Sequence, residues 1–419
     1  MKVKYLILGA GISGLAFASK LESDYAIIEK EATPGGLCRT FYQDGFTWDF
    51  AGHFFHFKNN ESKKYFSAVL GDENCYKHNK NTSIFYHGKM IDYPFQKNIH
   101  QLDKEEFIDC LYDLYFKEKK EEYSSFKDML LGKFGKSICD KFLIPYNEKL
   151  YACNLDRLDK DAMGRFFPYA DMEDIFRNMK MSNSSSYNDT FIYPKGGAKT
   201  IIDHLSKDVK NENLHLNENV LRVDVDNRIV ETNKNVYQYD YLINTIPFNQ
   251  FLSLMGRTEE VFDNLSWNKV LVFNIGFDRE AIDKTIHWIY FPDKTVNFYR
   301  VGFYNNILRE KKLSIYVEIG MDPDDTYDES EQLEQTIFNL KKCGIITDHQ
   351  VVSYQSLVMN PAYVHVSEKG KTYFEKETQK LNEKSVYTLG RYGGWTYCSM
   401  EDCYIDAINL ANKLNQVVL

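Results

Sequence analysis

Apolar positions open the chain in a run, Tyr5-Leu6-Ile7-Leu8, that stops abruptly at Gly9-Ala10-Gly11-Ile12-Ser13-Gly14. Helical spacing follows over 15–21, and a second short apolar run, Tyr25-Ala26-Ile27-Ile28, ends on Glu29. The pattern predicts strand, glycine turn, helix and strand, with a further glycine turn at Pro34-Gly35-Gly36-Leu37. Beyond it, 46–56 mixes small residues with aromatics, which suits a loop pressed against a flat surface or a buried strand. Two runs around His87-Gly88 predict a hairpin over 83–93. The texture then changes, and 104–120, 126–131, 136–144 and 160–167 carry helical spacing. After the polar run 182–188, strands are predicted at 191–193, 220–225, 228–232 and 241–245, with a helix over 199–205. Strand-like runs dominate 269–277, 288–291, 298–303 and 313–319. A strand at 386–391 ending in glycine and an amphipathic helix over 402–414 close the pattern.

The first element has a chemical meaning. In G-x-G-x-x-G, Gly9 permits the tight turn, Gly11 lets backbone approach a pyrophosphate, and Gly14 lets helix and strand pack closely. The helix start offers free N–H groups and the positive end of its dipole to phosphates, with Ser13 in the same turn. Glu29 falls where an adenosine ribose is gripped, with Lys30 beside it, and Gly35, Gly36 and Leu37 approach a dinucleotide from the other side. Together these favour FAD over free NAD. A secretory leader over 2–18 would leave Glu29 and the glycine pair unexplained.

Composition narrows the class. The 419 residues suffice for two or three domains, and 43% hydrophobic with 26% charged is ordinary for a globular chain. A net charge of −9 argues against general nucleic-acid binding. No apolar stretch approaches 18 residues, so stable membrane insertion is not expected. Eight cysteines without a C-x-x-C pair fit reduced thiols and a cytoplasmic location. His53 and His56 have no clustered third ligand, so no metal site is expected.

Collinear segments then carry a resemblance. They are the glycine fingerprint, Gly52-His53, Tyr93-Pro94-Phe95-Gln96-Lys97-Asn98, Pro145-Tyr146-Asn147 with Tyr151, Gly164-Arg165, Asn188-Asp189-Thr190-Phe191, Trp288-Ile289-Tyr290-Phe291-Pro292, Phe298-Tyr299-Arg300 and Gly390-Arg391-Tyr392-Gly393-Gly394-Trp395-Thr396-Tyr397. In them the chain resembles the UDP-galactopyranose mutases, more the eukaryotic-type members than the short bacterial ones. The resemblance implies an α/β fold: an FAD-binding Rossmann-like domain (1–79, 186–248 and 380–419), an inserted helical domain (98–185) and an antiparallel sheet domain (80–97 and 249–379). It implies an FAD enzyme, active when the flavin is reduced and open to NAD(P)H as reductant. Such an enzyme interconverts pyranose and furanose forms of a nucleotide-diphosphate sugar through a covalent flavin N5–sugar adduct, for surface polysaccharide synthesis. A homo-oligomer is left open.

The same resemblance implies residue roles. Arg165 and Arg300 clamp the diphosphate, since Arg presents a planar fork to phosphate oxygens. Tyr290, Tyr363 and Tyr397 donate hydroxyls to it. Tyr93, Phe95 and Gln96 form a base-binding strip that Asn147 and Tyr151 close, and Asn188 and Trp288 lie near the sugar. Gly52 and His53 meet the flavin ring. Gly390, Arg391, Tyr397 and Met400 approach it from the C-terminal side, with Arg391 placed to stabilise a reduced, anionic form. Departures from the family pattern are Lys80 for an arginine, Tyr151 for a tryptophan, Ile307 for a second sheet tyrosine, and Ser399 in the segment that carries an acid or amide near the sugar. The alternative reading is an FAD-dependent oxidoreductase of the amine oxidase or desaturase type, which would need a greasy channel in place of the arginines. A third is an FAD-binding protein without chemistry.

Overall fold

A computed structural model describes residues 1–118, 120–181 and 189–416. Its organising element is a sheet in which strand Lys2–Leu8 lies between two parallel neighbours, Tyr25–Ile28 and Val236–Asn244. Five of its seven residues are buried, which explains the unbroken apolar run, because parallel strands are covered on both faces. The sheet runs Val220–Asp224, Ile229–Thr232, Val236–Asn244, Lys2–Leu8, Tyr25–Ile28, Leu214–His215, and Val386–Thr388 adds to the far half of Val236–Asn244. Helix Ile12–Ala18 is buried along its whole length and shares a core with helix Met400–Gln416 through Leu15, Ala407 and Ala411. It starts three residues earlier than its apolar spacing predicts, because it begins directly on the glycine turn.

A second, mainly antiparallel sheet is ordered Val351–Met359, Lys269–Glu280, Lys312–Met321, Arg300–Phe303, Trp288–Tyr290, Thr82–Tyr86, Lys89–Asp92. It contains the predicted hairpin around His87-Gly88. Val351–Met359, Glu329–Lys342 and Glu368–Glu383 were not anticipated from the sequence.

The helical region holds Lys104–Phe116, Phe126–Phe134, Lys136–Ile138 and Ile144–Tyr151. A π turn, Cys139–Leu143, joins the last two, where Pro145 has no N–H to give back to the preceding turn. The helix predicted over 160–167 is absent. Gly164 takes φ +49°, and only the 3₁₀ turn Gly164–Phe166 forms there. Among the described residues no helix is long and apolar enough to cross a membrane.

Between the two sheets runs the loop 50–54. It leaves strand Phe46–Asp49, and Phe55 rejoins by bridging Ile192. Tyr304 Oη donates to Ala51 O at 3.0 Å, and Asn274 Nδ2 donates to Asp49 O at 3.0 Å. The second sheet therefore fixes a loop that faces the first.

Candidate functional site

One cavity of about 1180 Å³ runs between the sheets. It exceeds the ~300–1,000 Å³ usual for a single small ligand, so it has room for a dinucleotide and a second molecule. At one end two glycine turns face each other. Gly9 sits at φ +98°, and a Cβ on Gly14 would lie 2.0 Å from Gly9 O. Gly11 and Gly36 approach so closely that a Cβ on Gly36 would be 3.4 Å from Gly11 Cα. Gly35 N donates to Ala10 O at 2.8 Å and holds the second turn on the first.

Glu29 is buried here and accepts from Ala10 N at 2.8 Å and Glu31 N at 3.0 Å. One oxygen thus braces the glycine turn and the other the chain just past the strand, and each keeps a lone pair for a hydroxyl. Ser13, Lys30 and Leu37 complete this end of the wall. Gly14 and Gly390 lie behind it, and a Cβ on Gly390 would meet Ser13 Oγ at 2.3 Å. Glycine turns, a braced carboxylate and a long channel fit FAD.

The other end is aromatic and cationic. Gly52 and His53 enter the wall from the loop 50–54, with Phe54 stacked on Trp288 at 4.8 Å. His53 Nδ1 is buried without a hydrogen-bond partner, and burial lowers the ring's pKa to about 4. Arg391 lies over the rings of Tyr363 (5.4 Å) and Tyr397 (4.6 Å), and its Nη1 donates to Cys398 O at 2.9 Å. Tyr290 Oη accepts from Trp288 Nε1 at 2.7 Å, leaving its own proton to give. Burial raises the pKa values of Tyr93, Tyr290 and Tyr363, so all three remain O–H donors at neutral pH. Lys80, 5.2 Å over the ring of Tyr93, is lowered by burial to about 8, with Asp189 opposing.

Arg300 also lines the cavity, but a partner holds it. Glu318, 1% exposed, accepts from both Nε and Nη2, the latter at 2.8 Å. The sequence reading missed Glu318. Its signal was a lone carboxylate inside the apolar strand Lys312–Met321. It also missed Cys38, Arg39 and Cys403, and a limb of the cavity lined by Val220, Gln250 and Trp267. Those come from distant segments with no local pattern.

Several sequence-predicted residues stand off the wall. Phe95 is fully buried against Phe142, and Gln96 Nε2 donates to Pro168 O. The 3₁₀ turn Phe95–Lys97 directs both into the helical core and leaves Tyr93 facing the cavity. Asn147 Nδ2 bonds back to Leu143 O, at the end of the π turn that leads into its helix, at 2.6 Å. Tyr151 is buried beside Tyr363, ring centroids 5.8 Å apart. Ile307 lies in the short helix Tyr304–Leu308, outside the sheet, so it does not occupy a sheet tyrosine's place. Asn188 lies outside the described residues.

Arg165 sits at the rim, and its Nη2 donates to both oxygens of Asp402, at 2.5 and 2.6 Å. Its neighbour Phe166 reaches the wall and packs edge-on to Tyr397 at 5.1 Å. Ser399 and Met400 line the cavity. Ser399 N donates to Asp402 Oδ2 at 2.8 Å, and its Oγ accepts from Asp402 N at 3.2 Å, which caps the Met400–Gln416 helix.

Comparison with known proteins gives four findings. Residues 12–415 match the family described as flavin containing amine oxidoreductase. A crystal structure of reduced UDP-galactopyranose mutase superposes with a TM-score of 0.91 at 25% identity, covering 100% of this chain and 94% of the other. Putrescine oxidase bound to putrescine superposes with a TM-score of 0.66 at 13% identity, covering 99% of both chains, which is a likeness of fold. A segment of 49 residues is 43% identical to a zeta-carotene-forming phytoene desaturase of Myxococcus xanthus; it spans 11% of this chain and 10% of that protein.

Proposed function

The chain belongs to the flavin containing amine oxidoreductase family, with FAD as its cofactor and a UDP-galactopyranose mutase-like fold, and on that premise we propose that it is a flavin-dependent mutase. It interconverts the pyranose and furanose forms of a nucleotide-diphosphate sugar, UDP-galactose or a close relative, for surface polysaccharide synthesis. The observation that carries this reading is the wall facing Gly52 and His53, where Arg300, Arg391 and Lys80 alternate with tyrosines. Fixed cations and O–H donors suit a diphosphate, whereas an oxidase of amines or polyenes needs an apolar tunnel.

Held between the two glycine turns and the loop carrying Gly52 and His53, a reduced flavin would supply the nucleophile for the anomeric carbon. The chain's own groups hold charge and position. Arg300 keeps one edge of its guanidinium on Glu318, which fixes the other edge. Tyr290 is pre-oriented by Trp288 and offers a single proton. Tyr363 and Tyr397, nearly parallel at 16° and 5.8 Å apart, are covered by Arg391, so their hydroxyl dipoles and its charge act on one region. Arg165 reaches a phosphate only by exchanging Asp402 for it.

The test is anaerobic incubation of dithionite-reduced protein with a panel of nucleotide sugars, followed by chromatography for furanose products. The family match and the desaturase segment support a second reading, an FAD-dependent oxidoreductase. Stoichiometric bleaching of the oxidised flavin by an amine or polyene would select it.

A further inference from the structure

Four sulfur atoms meet in one part of the flavin cavity. Cys38 Sγ lies 3.6 Å from Met400 Sδ, and Cys398 Sγ lies 3.6 Å from Cys403 Sγ. All four residues line the cavity. Cys403 is in the first turn of helix Met400–Gln416, while Cys398 precedes that helix in irregular backbone. A disulfide needs its sulfurs at about 2.05 Å. Closing the remaining gap takes a side-chain swing of Cys398, whose backbone no ladder holds.

The chemistry around the pair is directional. The hydrogen bond between the two sulfurs lowers the pKa of Cys403, and Arg391 acts the same way on it, whereas that bond and burial raise Cys398. Cys403 is thus the more acidic thiol of the pair, the one nearer the reactive thiolate form. Cys110 and Cys343 behave differently. Burial pushes them to about 12 and about 11, and neither reaches the cavity wall. They are structural thiols.

We propose that Cys398 and Cys403 form a reversible disulfide that exchanges two electrons with the flavin, giving the protein a second two-electron centre in the cofactor's own cavity. In the oxidising direction the two thiols lose two protons and two electrons as the S–S bond forms. Oxidised flavin takes both electrons and the protons it needs. In the reverse direction reduced flavin returns the electrons, the S–S bond opens, and each sulfur takes a proton. The proposal rests on FAD being the cofactor and not on the mutase reading. Under that reading it has a use: isomerisation consumes no electrons but stops when the flavin loses them, and the dithiol is a store that restores them.

Two measurements on the FAD-loaded protein test it without turnover. Air-oxidised holoenzyme, unfolded in excess iodoacetamide, should alkylate six of its eight cysteines, the other two being joined in one 398–403 peptide by mass spectrometry. Anaerobic titration with dithionite should take up about four electrons per chain in all, about two bleaching the flavin band and about two more opening the disulfide, against about two for flavin alone. Cys398→Ser and Cys403→Ser should each retain the visible flavin spectrum and titrate with two. Cys343→Ser, remote from the cavity, should still take four. Eight alkylated cysteines, or electron uptake complete after about two electrons in the wild type, would overturn the proposal.

Discussion

Arg300 and Glu318 stand opposite each other on neighbouring antiparallel strands, and the buried carboxylate takes two hydrogen bonds from the guanidinium. Arg165 and Asp402 make a similar pair at the rim, with side chains 34% and 28% exposed. Breaking a buried pair by removing one partner costs about 3–5 kcal/mol, whereas a surface pair contributes about 0–1 kcal/mol.

Arg300→Ala should therefore lower the melting temperature sharply, while Arg165→Ala should barely move it. Both should weaken UDP binding, by roughly tenfold to a hundredfold if one charge-assisted hydrogen bond is lost. Arg300→Lys should recover stability more than affinity, because an ammonium lacks the fork. Calorimetric titration with UDP on folded, yellow protein checks this, and wild-type affinity in both alanine variants would move the diphosphate elsewhere.

Gly11→Val should fold and lose its flavin. Nothing nearer than Gly36 Cα at 4.0 Å meets a Cβ there, so the side chain enters the gap between the two glycine turns without breaking the core. Gly14→Ala is the contrasting case: its methyl would fall 2.0 Å from Gly9 O, and the strand–helix unit itself should be destabilised. The ratio of flavin to protein absorbance, read beside the melting curve, separates the two effects.

Acid should destabilise the protein between about pH 6.5 and 4. Burial lowers His53, His56, His287 and His365 to about 4 in the folded state, whereas they bind protons near 6.5 when unfolded. In that window the unfolded chain holds more protons, so stability falls as pH falls. Asp49 works the other way, since burial raises it to about 6 and its protonation favours the fold. Four groups outweigh one. His53→Gln should flatten the slope of melting temperature against pH, and a flat wild-type profile would remove the argument.

Turnover should be absent with oxidised flavin and appear on reduction. The reduced state should then survive many cycles, because pyranose and furanose are at one oxidation level. An anaerobic assay against an aerobic one settles it, and equal rates would sink the mutase reading.

The nucleotide end of the cavity was legible because it is local. Gly9, Gly11, Gly14, Glu29 and Gly35 lie within 27 residues, and each has a backbone reason for its identity. The far end was legible only in part. Tyr93, Tyr290, Arg300 and Tyr397 are on the wall, but Phe95 and Gln96 turn away because one 3₁₀ turn decides which face they show. Glu318, Tyr304 and Asn274 escaped notice because their meaning lies in partners 18 to 255 residues distant. Residues 160–167 read as helix because apolar spacing does not register that Gly164 takes a left-handed turn.

The cavity wall joins Gly9 and Gly11 to Arg391, Cys398 and Cys403, nearly the whole sequence apart. On a translating ribosome the glycine turns emerge first and wait for strand Val386–Thr388 and the helix beginning at Met400, which follow 350 or more residues later. The nascent chain thus offers half a cradle for most of its synthesis. Cofactor capture therefore waits for those later segments.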